Sequence, residues 1–235
     1  SGVGAKTTQA SLLGKTFTYM FLFLLLTIAV TVGVSAIFQF AIKDVNVRND
    51  AYMITLITAS ITQLVLTIVI AFTSLKRGKA AAVPLILDAV CMGVLLSSFT
   101  FLGLEWYTLA ATFGIAALAF GGMALIGMFS KHASGMGMVG FGLLFSVLLV
   151  SLFNVFMFIF LPQVWAIQNI ITSVIIVIAI MLITAYDVYN IKRISATGEN
   201  SSNLAVYLAF NLYLDFIIIL LHILKYVAIF ASDRR

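Results

Sequence analysis

The chain has 235 residues, 63% of them hydrophobic and 9% charged, with a formal net charge of +5. Soluble globular domains carry roughly 25% charged residues, so one water-soluble core cannot absorb this much apolar surface and lipid is the expected solvent. The Lys and Arg residues stand singly or in short clusters between long apolar runs, which marks them as topology signals facing anionic headgroups and argues against nucleic acid as a partner. Cys91 is the single cysteine, which excludes an intrachain disulfide framework and any cysteine-based metal site made by one chain.

A membrane-spanning helix needs about 20 mostly apolar residues. Runs of that length predict seven helices, over residues 16–42, 51–75, 80–104, 106–130, 137–161, 166–191 and 203–231. The first is too long for a signal-peptide core and no small-residue cleavage site follows it, so it counts as a helix. The second ends at the basic cluster Lys76, Arg77, Lys79. The third is broken only by Asp88, about one turn past Pro84, where the carboxylate is expected to snorkel to the headgroups. Gly121-Gly122 and Ser134-Gly135-Met136-Gly137, followed by Gly140 and Gly142, are expected to let helices four and five approach closely. Pro162-Gln163 marks the reversal between helices five and six, because Pro cannot continue a helix. The runs are too long for strands and lack alternation. The expected fold is therefore an all-α integral membrane protein in which residues 1–235 form one domain.

Loop charges set the orientation. With the N-terminus in the cytoplasm, the inner side holds Lys6, Lys15, Lys76, Arg77, Lys79, Lys131, Lys192 and Arg193. The outer side holds one mixed loop, with Lys43, Asp44, Arg48 and Asp50, then Glu105, and no charge around Pro162.

Ionisable side chains inside membrane helices cost several kcal/mol and mark pathways or relays. Four stand out: Asp88, Asp187, Asp215 and His222. Asp187 lies near the cytoplasmic end of helix six, with Thr184, Ser173 and Asn169 on its face. Asp215 has Asn211 one turn before it, Tyr207 two turns before and His222 two turns after, so helices six and seven each carry a polar seam. Counting along the helices puts Asp215 deeper than Asp187, unless helix seven overhangs into the cytoplasm. Two carboxylates brought together away from water share a proton, which would make a pH-sensitive latch. The alternative is that each Asp hydrogen-bonds its own neighbours, such as Tyr213 or Asn190. His222 lacks the further His or Cys that a metal site needs and reads as a packing residue.

Three stretches resemble the Bax inhibitor 1 family, the transmembrane Bax-inhibitor-motif proteins. They are Phe120-Gly121-Gly122-Met123-Ala124-Leu125 followed by Ser134-Gly135-Met136-Gly137, then Thr184-Ala185-Tyr186-Asp187, then Asn203-Leu204-Ala205 through Leu212-Tyr213-Leu214-Asp215-Phe216. The SGMG form is similar to bacterial members. The resemblance implies a seven-helix bundle with the last helix central, conducting calcium as a pH-dependent leak across a bacterial plasma membrane. It implies that the family's paired aspartates are Asp187 and Asp215, and that Arg77, with Lys76 adjacent, supplies the cation engaging them. Asp88 is no part of that pattern.

The leading expectation is thus a calcium-permeable leak channel in which Asp187 and Asp215 sense protons and offer hard oxygens to passing calcium. Asn211, Thr184, His222 and Asp88 are further candidates along the ion pathway. No cofactor and no catalysis are expected. An intramembrane aspartyl protease is a second possibility, since Tyr186-Asp187 matches its Tyr-Asp element. Such enzymes resemble one another in a Gly-x-Gly-Asp and a Pro-Ala-Leu element, however, whereas Asp215 follows Leu212-Tyr213-Leu214 and the prolines are Pro84 and Pro162. A third is a non-conducting regulator of another membrane protein.

Overall fold

The computed structural model describes residues 2–74, 82–101, 105–131, 135–146, 162–199 and 201–232. These form α1 (Gly2–Ala36), which runs on as a π-helical turn (Ile37–Ala41), α2 (Val45–Ser74), α3 (Ala82–Phe101) and α4 (Trp106–Phe129). They continue with α5 (Gly135–Ser146), α6 (Pro162–Ala196) and α7 (Ser202–Ser232). Among the described residues there is no strand, and six helices, all but α5, are long and apolar enough to cross a membrane. The chain is a multi-pass membrane protein.

Local chemistry explains where the helix ends depart from the expected ones. The side chain of Asp44 accepts from the backbone N–H groups of Asn46 (2.9 Å) and Val47 (3.3 Å). This N-cap starts α2 at Val45 rather than at 51, so Arg48 and Asp50 belong to a helix and not to the expected loop. Pro162 occupies the first position of α6, where its missing N–H costs nothing, so it opens that helix four residues before the expected start at 166. The reversal expected at Pro162-Gln163 is therefore not there, since both residues are helical. Between α6 and α7, Gly198 adopts a φ of 84°, the left-handed conformation that ends helices and that glycine tolerates best. Ser201 then caps α7 by accepting from Leu204 N–H at 3.2 Å.

Two compact units divide the chain, the first made of Ser1–Thr108 with Gly198–Tyr213, the second of Leu109–Thr197 with Leu214–Arg235. In the first, α3 packs against both α1 and α2. A Cβ on Gly93 would come within 2.7 Å of the Thr27 carbonyl, so α1 and α3 touch backbone to backbone, as small residues allow in membranes. Thr31 donates to the Gly93 carbonyl (2.9 Å), Thr27 to that of Ala89 (3.2 Å), and Ser35 bonds Thr100 (2.7 Å). The first half of α7 joins through the ring cluster Phe23, Phe210 and Tyr213, whose phenol bonds Thr27 at 2.8 Å.

In the second unit α6 is the common partner. Three glycines bring α4 and α5 onto it: a Cβ on Gly127 would overlap the Ala185 carbonyl, one on Gly137 the Tyr186 ring, and one on Gly140 the Ile183 side chain. Of the glycines expected to pack, Gly121, Gly122, Gly135 and Gly142 have no described atom within 4 Å of a Cβ position. Gly137 and Gly140 are two of the positions expected to pack and Gly127 is not, and the helix all three approach is α6 rather than α4 and α5 approaching each other. Phe113 and Phe120 of α4 meet Phe216 of α7 at centroid separations of 5.0 and 5.8 Å.

Candidate functional site

The seam between α6 and the second half of α7 carries polar contacts along its length. Tyr226 donates to the Ile170 carbonyl (2.6 Å), Lys225 to Ser173 (3.1 Å) and Thr184 to Asp215 Oδ2 (3.2 Å). Positions on α6 rise as those on α7 fall, so the helices run antiparallel. Ser173 and Thr184 of the expected stripe face the partner helix, and the side chain of Asn169 lies outside the described ones.

Asp215 is buried, with 6% of its surface exposed, and Asp187 is half-buried. The two carboxylates lie within electrostatic reach of each other. The hydrogen bond that reaches Asp215 from α6 nevertheless comes from Thr184, three residues earlier. Asp215 is therefore level with Thr184, and Asp187 sits about 4.5 Å further along the helix by its rise per residue. The carboxylates are offset rather than level, with Asp215 on the side of Asp187 away from Lys192, and α7, at 31 residues or about 46 Å, is longer than a hydrocarbon core of about 30 Å.

Thr184 also faces its own helix, where Oγ1 donates to the Ile180 carbonyl at 2.9 Å. A hydroxyl has one hydrogen, so the Ile180 carbonyl and an ionised Asp215 compete for it. Protonating Asp215 ends the competition, because the acid then donates to Thr184 Oγ1 while Thr184 keeps its bond to Ile180. The arrangement therefore has two hydrogen-bond states that differ by one proton.

Other expected residues fall elsewhere. His222 bonds the Ile218 carbonyl of its own helix through Nδ1 at 2.9 Å, in keeping with a packing role, and Asn211 is half-buried one turn before Asp215. Arg77 and Lys76 lie outside the described residues. Asp88 contradicts the expectation of a snorkelling carboxylate. It is 1% exposed, and Gln63 of α2 donates to its Oδ1 at 2.6 Å. A buried acid avoids the hydrocarbon by finding a donor inside the protein, and Gln63 is that donor. The signal was available, since Gln63 is a lone carboxamide in the long apolar run of α2. Lys192, expected only as a topology signal, donates to the Met128 carbonyl at 2.9 Å and satisfies one of the open carbonyls at the end of α4.

Among the described residues no three His, Cys, Asp or Glu side chains group as a metal site. The family described as inhibitor of apoptosis-promoting Bax1 matches residues 9–232, nearly the whole chain. No curated protein matches it.

Proposed function

Since this chain belongs to the Bax inhibitor family, we propose that it is a pH-sensitive, calcium-permeable leak channel gated by Asp187 and Asp215. The observation that carries the reading is the bond from Thr184 to buried Asp215, with Asp187 in electrostatic reach. It gives the seam two states related by a proton. An ionised carboxylate inside the membrane costs several kcal/mol unless it is compensated, so proton occupancy and the packing of α6 on α7 are coupled. The same oxygens are hard ligands suited to a passing calcium ion. Permeation is then a role for the pair that calls for neither catalysis nor a cofactor. More than half of the membrane-spanning stretch of α7 is buried, the largest share of the six spans, which supports a last helix central in the bundle. Arg77 is the gate cation in this reading. The setting is a bacterial plasma membrane with the N-terminus in the cytoplasm, and the partners are lipid, calcium and protons.

The test is calcium flux into proteoliposomes containing only this protein, measured across pH. Flux that varies with pH is expected. Asp187→Asn and Asp215→Asn should each remove most of that variation, and the double variant should add little, as for two residues acting in one unit. Absence of calcium flux at every pH sinks the channel reading, and additive effects of the two changes sink the pair.

A further inference from the structure

Asp88 is a third intramembrane acid, in the first unit, that the proposed gate does not use. Its Oδ1 is held by Gln63, but among the described residues its buried Oδ2 has no hydrogen-bond partner, and neither has Gln63 Oε1. Left ionised, such a carboxylate would be an uncompensated charge, far costlier than an unpaired neutral oxygen.

Three occupants could relieve it. A calcium ion asks for about six to eight oxygens, whereas one carboxylate and one carboxamide stand here, with no cluster of acids among the described residues. A water molecule supplies hydrogens but no charge. A proton supplies the charge, and the geometry fits it: 2.6 Å is short for N–H···O and ordinary for O–H···O. The oxygen and nitrogen of a carboxamide are told apart only by their partners. Exchanging them on Gln63 turns the contact into a carboxylic O–H donating to Oε1. Among the described residues, Asp88 acts electrostatically on Cys91 of its own helix and on Tyr213 of α7, and the phenol of Tyr213 is engaged by Thr27. Neither is a cation, and α1 reaches the residue next to Asp88 through Thr27, bonded to the Ala89 carbonyl.

We propose that Asp88 is a proton-binding site separate from the Asp187/Asp215 pair, resting as a neutral carboxylic acid whose proton is held by Gln63 across the α2/α3 seam. It does not depend on calcium permeation.

Infrared spectroscopy of the lipid-reconstituted protein at neutral pH tests it through the carbonyl band of protonated carboxyl groups. A band is expected that Asp88→Asn removes and that the Asp187→Asn/Asp215→Asn double variant retains. Asn keeps an amide opposite Gln63, so this variant should still fold. Gln63→Leu should shift the band to higher frequency by removing the hydrogen bond, which provides a readout should Asp88→Asn fail to fold. A spectrum in which Asp88→Asn removes no such band overturns the proposal, and so does a Gln63→Leu band at unchanged frequency.

Discussion

Thr184 holds one hydrogen between two acceptors, and the balance between them is open to measurement. Replacing it with Val keeps the shape and removes the hydroxyl. A single hydrogen bond is worth about 1 kcal/mol net, so Thr184→Val should displace the midpoint of the pH response of flux by about 0.7 pH unit. Thr184→Ser should leave it in place, and a Val variant with an unmoved midpoint would take Thr184 out of the mechanism. Asp187 and Asp215 were legible in the sequence because charges stand out against apolar runs. Their join through Thr184 was not, since helical spacing fixes the face of a residue but not its height against a neighbouring helix. Asp88 misled for a related reason. Proximity to a helix end favours snorkelling only while no donor is available inside, and Gln63 lies 25 positions earlier in the chain.

Helices are the most legible elements in this sequence, and their ends the least. Hydropathy marks where lipid contacts begin, whereas the Asp44 cap and the Pro162 start are set by hydrogen bonding and by proline chemistry, which extend helices past the apolar run. The π-helical turn at Ile37–Ala41 has no counterpart in the hydropathy pattern. Glycines carry a similar lesson, because the pair most conspicuous in sequence, Gly121-Gly122, faces open space, while the isolated Gly127 meets a carbonyl. The two sites should respond oppositely to the same added methyl. Gly127→Ala forces α4 away from α6 and should cost ~1–3 kcal/mol as overpacking. Gly121→Ala meets nothing and removes backbone freedom from the unfolded chain, a gain of up to ~1 kcal/mol. Thermal unfolding in detergent, read by circular dichroism, compares them directly, and equal effects would mean that α4 does not pack on α6 through Gly127.

At the scale of the whole molecule, helix direction says which helix ends share a side, and loop charge is what assigns that side. Within the first unit, α1 and α3 contact in step, through Thr27 with Ala89 and Thr31 with Gly93, while Tyr52 with Ser97 and Gln63 with Asp88 set α2 antiparallel to α3. Within the second, α5 and α7 run against α6, while Gly127 with Ala185 and Met128 with Lys192 rise together along α4 and α6. Each unit thus has the alternation that consecutive crossings produce, and Lys192 reaching the Met128 carbonyl puts the ends of α6 and α4 on the same side. Positive charge then says which side: Lys192, Arg193 and Lys131 gather there, as Lys76, Arg77 and Lys79 do after α2, and such clusters favour the cytoplasm. Single cysteines introduced at 78, 131 and 199 on a Cys91→Ser background should therefore be protected from an impermeant thiol reagent in intact cells and labelled after lysis. One at 105 should be labelled in intact cells. Labelling of 131 and 199 on opposite sides would contradict the shared end of α4 and α6. Labelling of 78, 131 and 199 together from outside would leave the helix directions intact and invert the orientation, carrying the Asp187 end of α6 to the outer face.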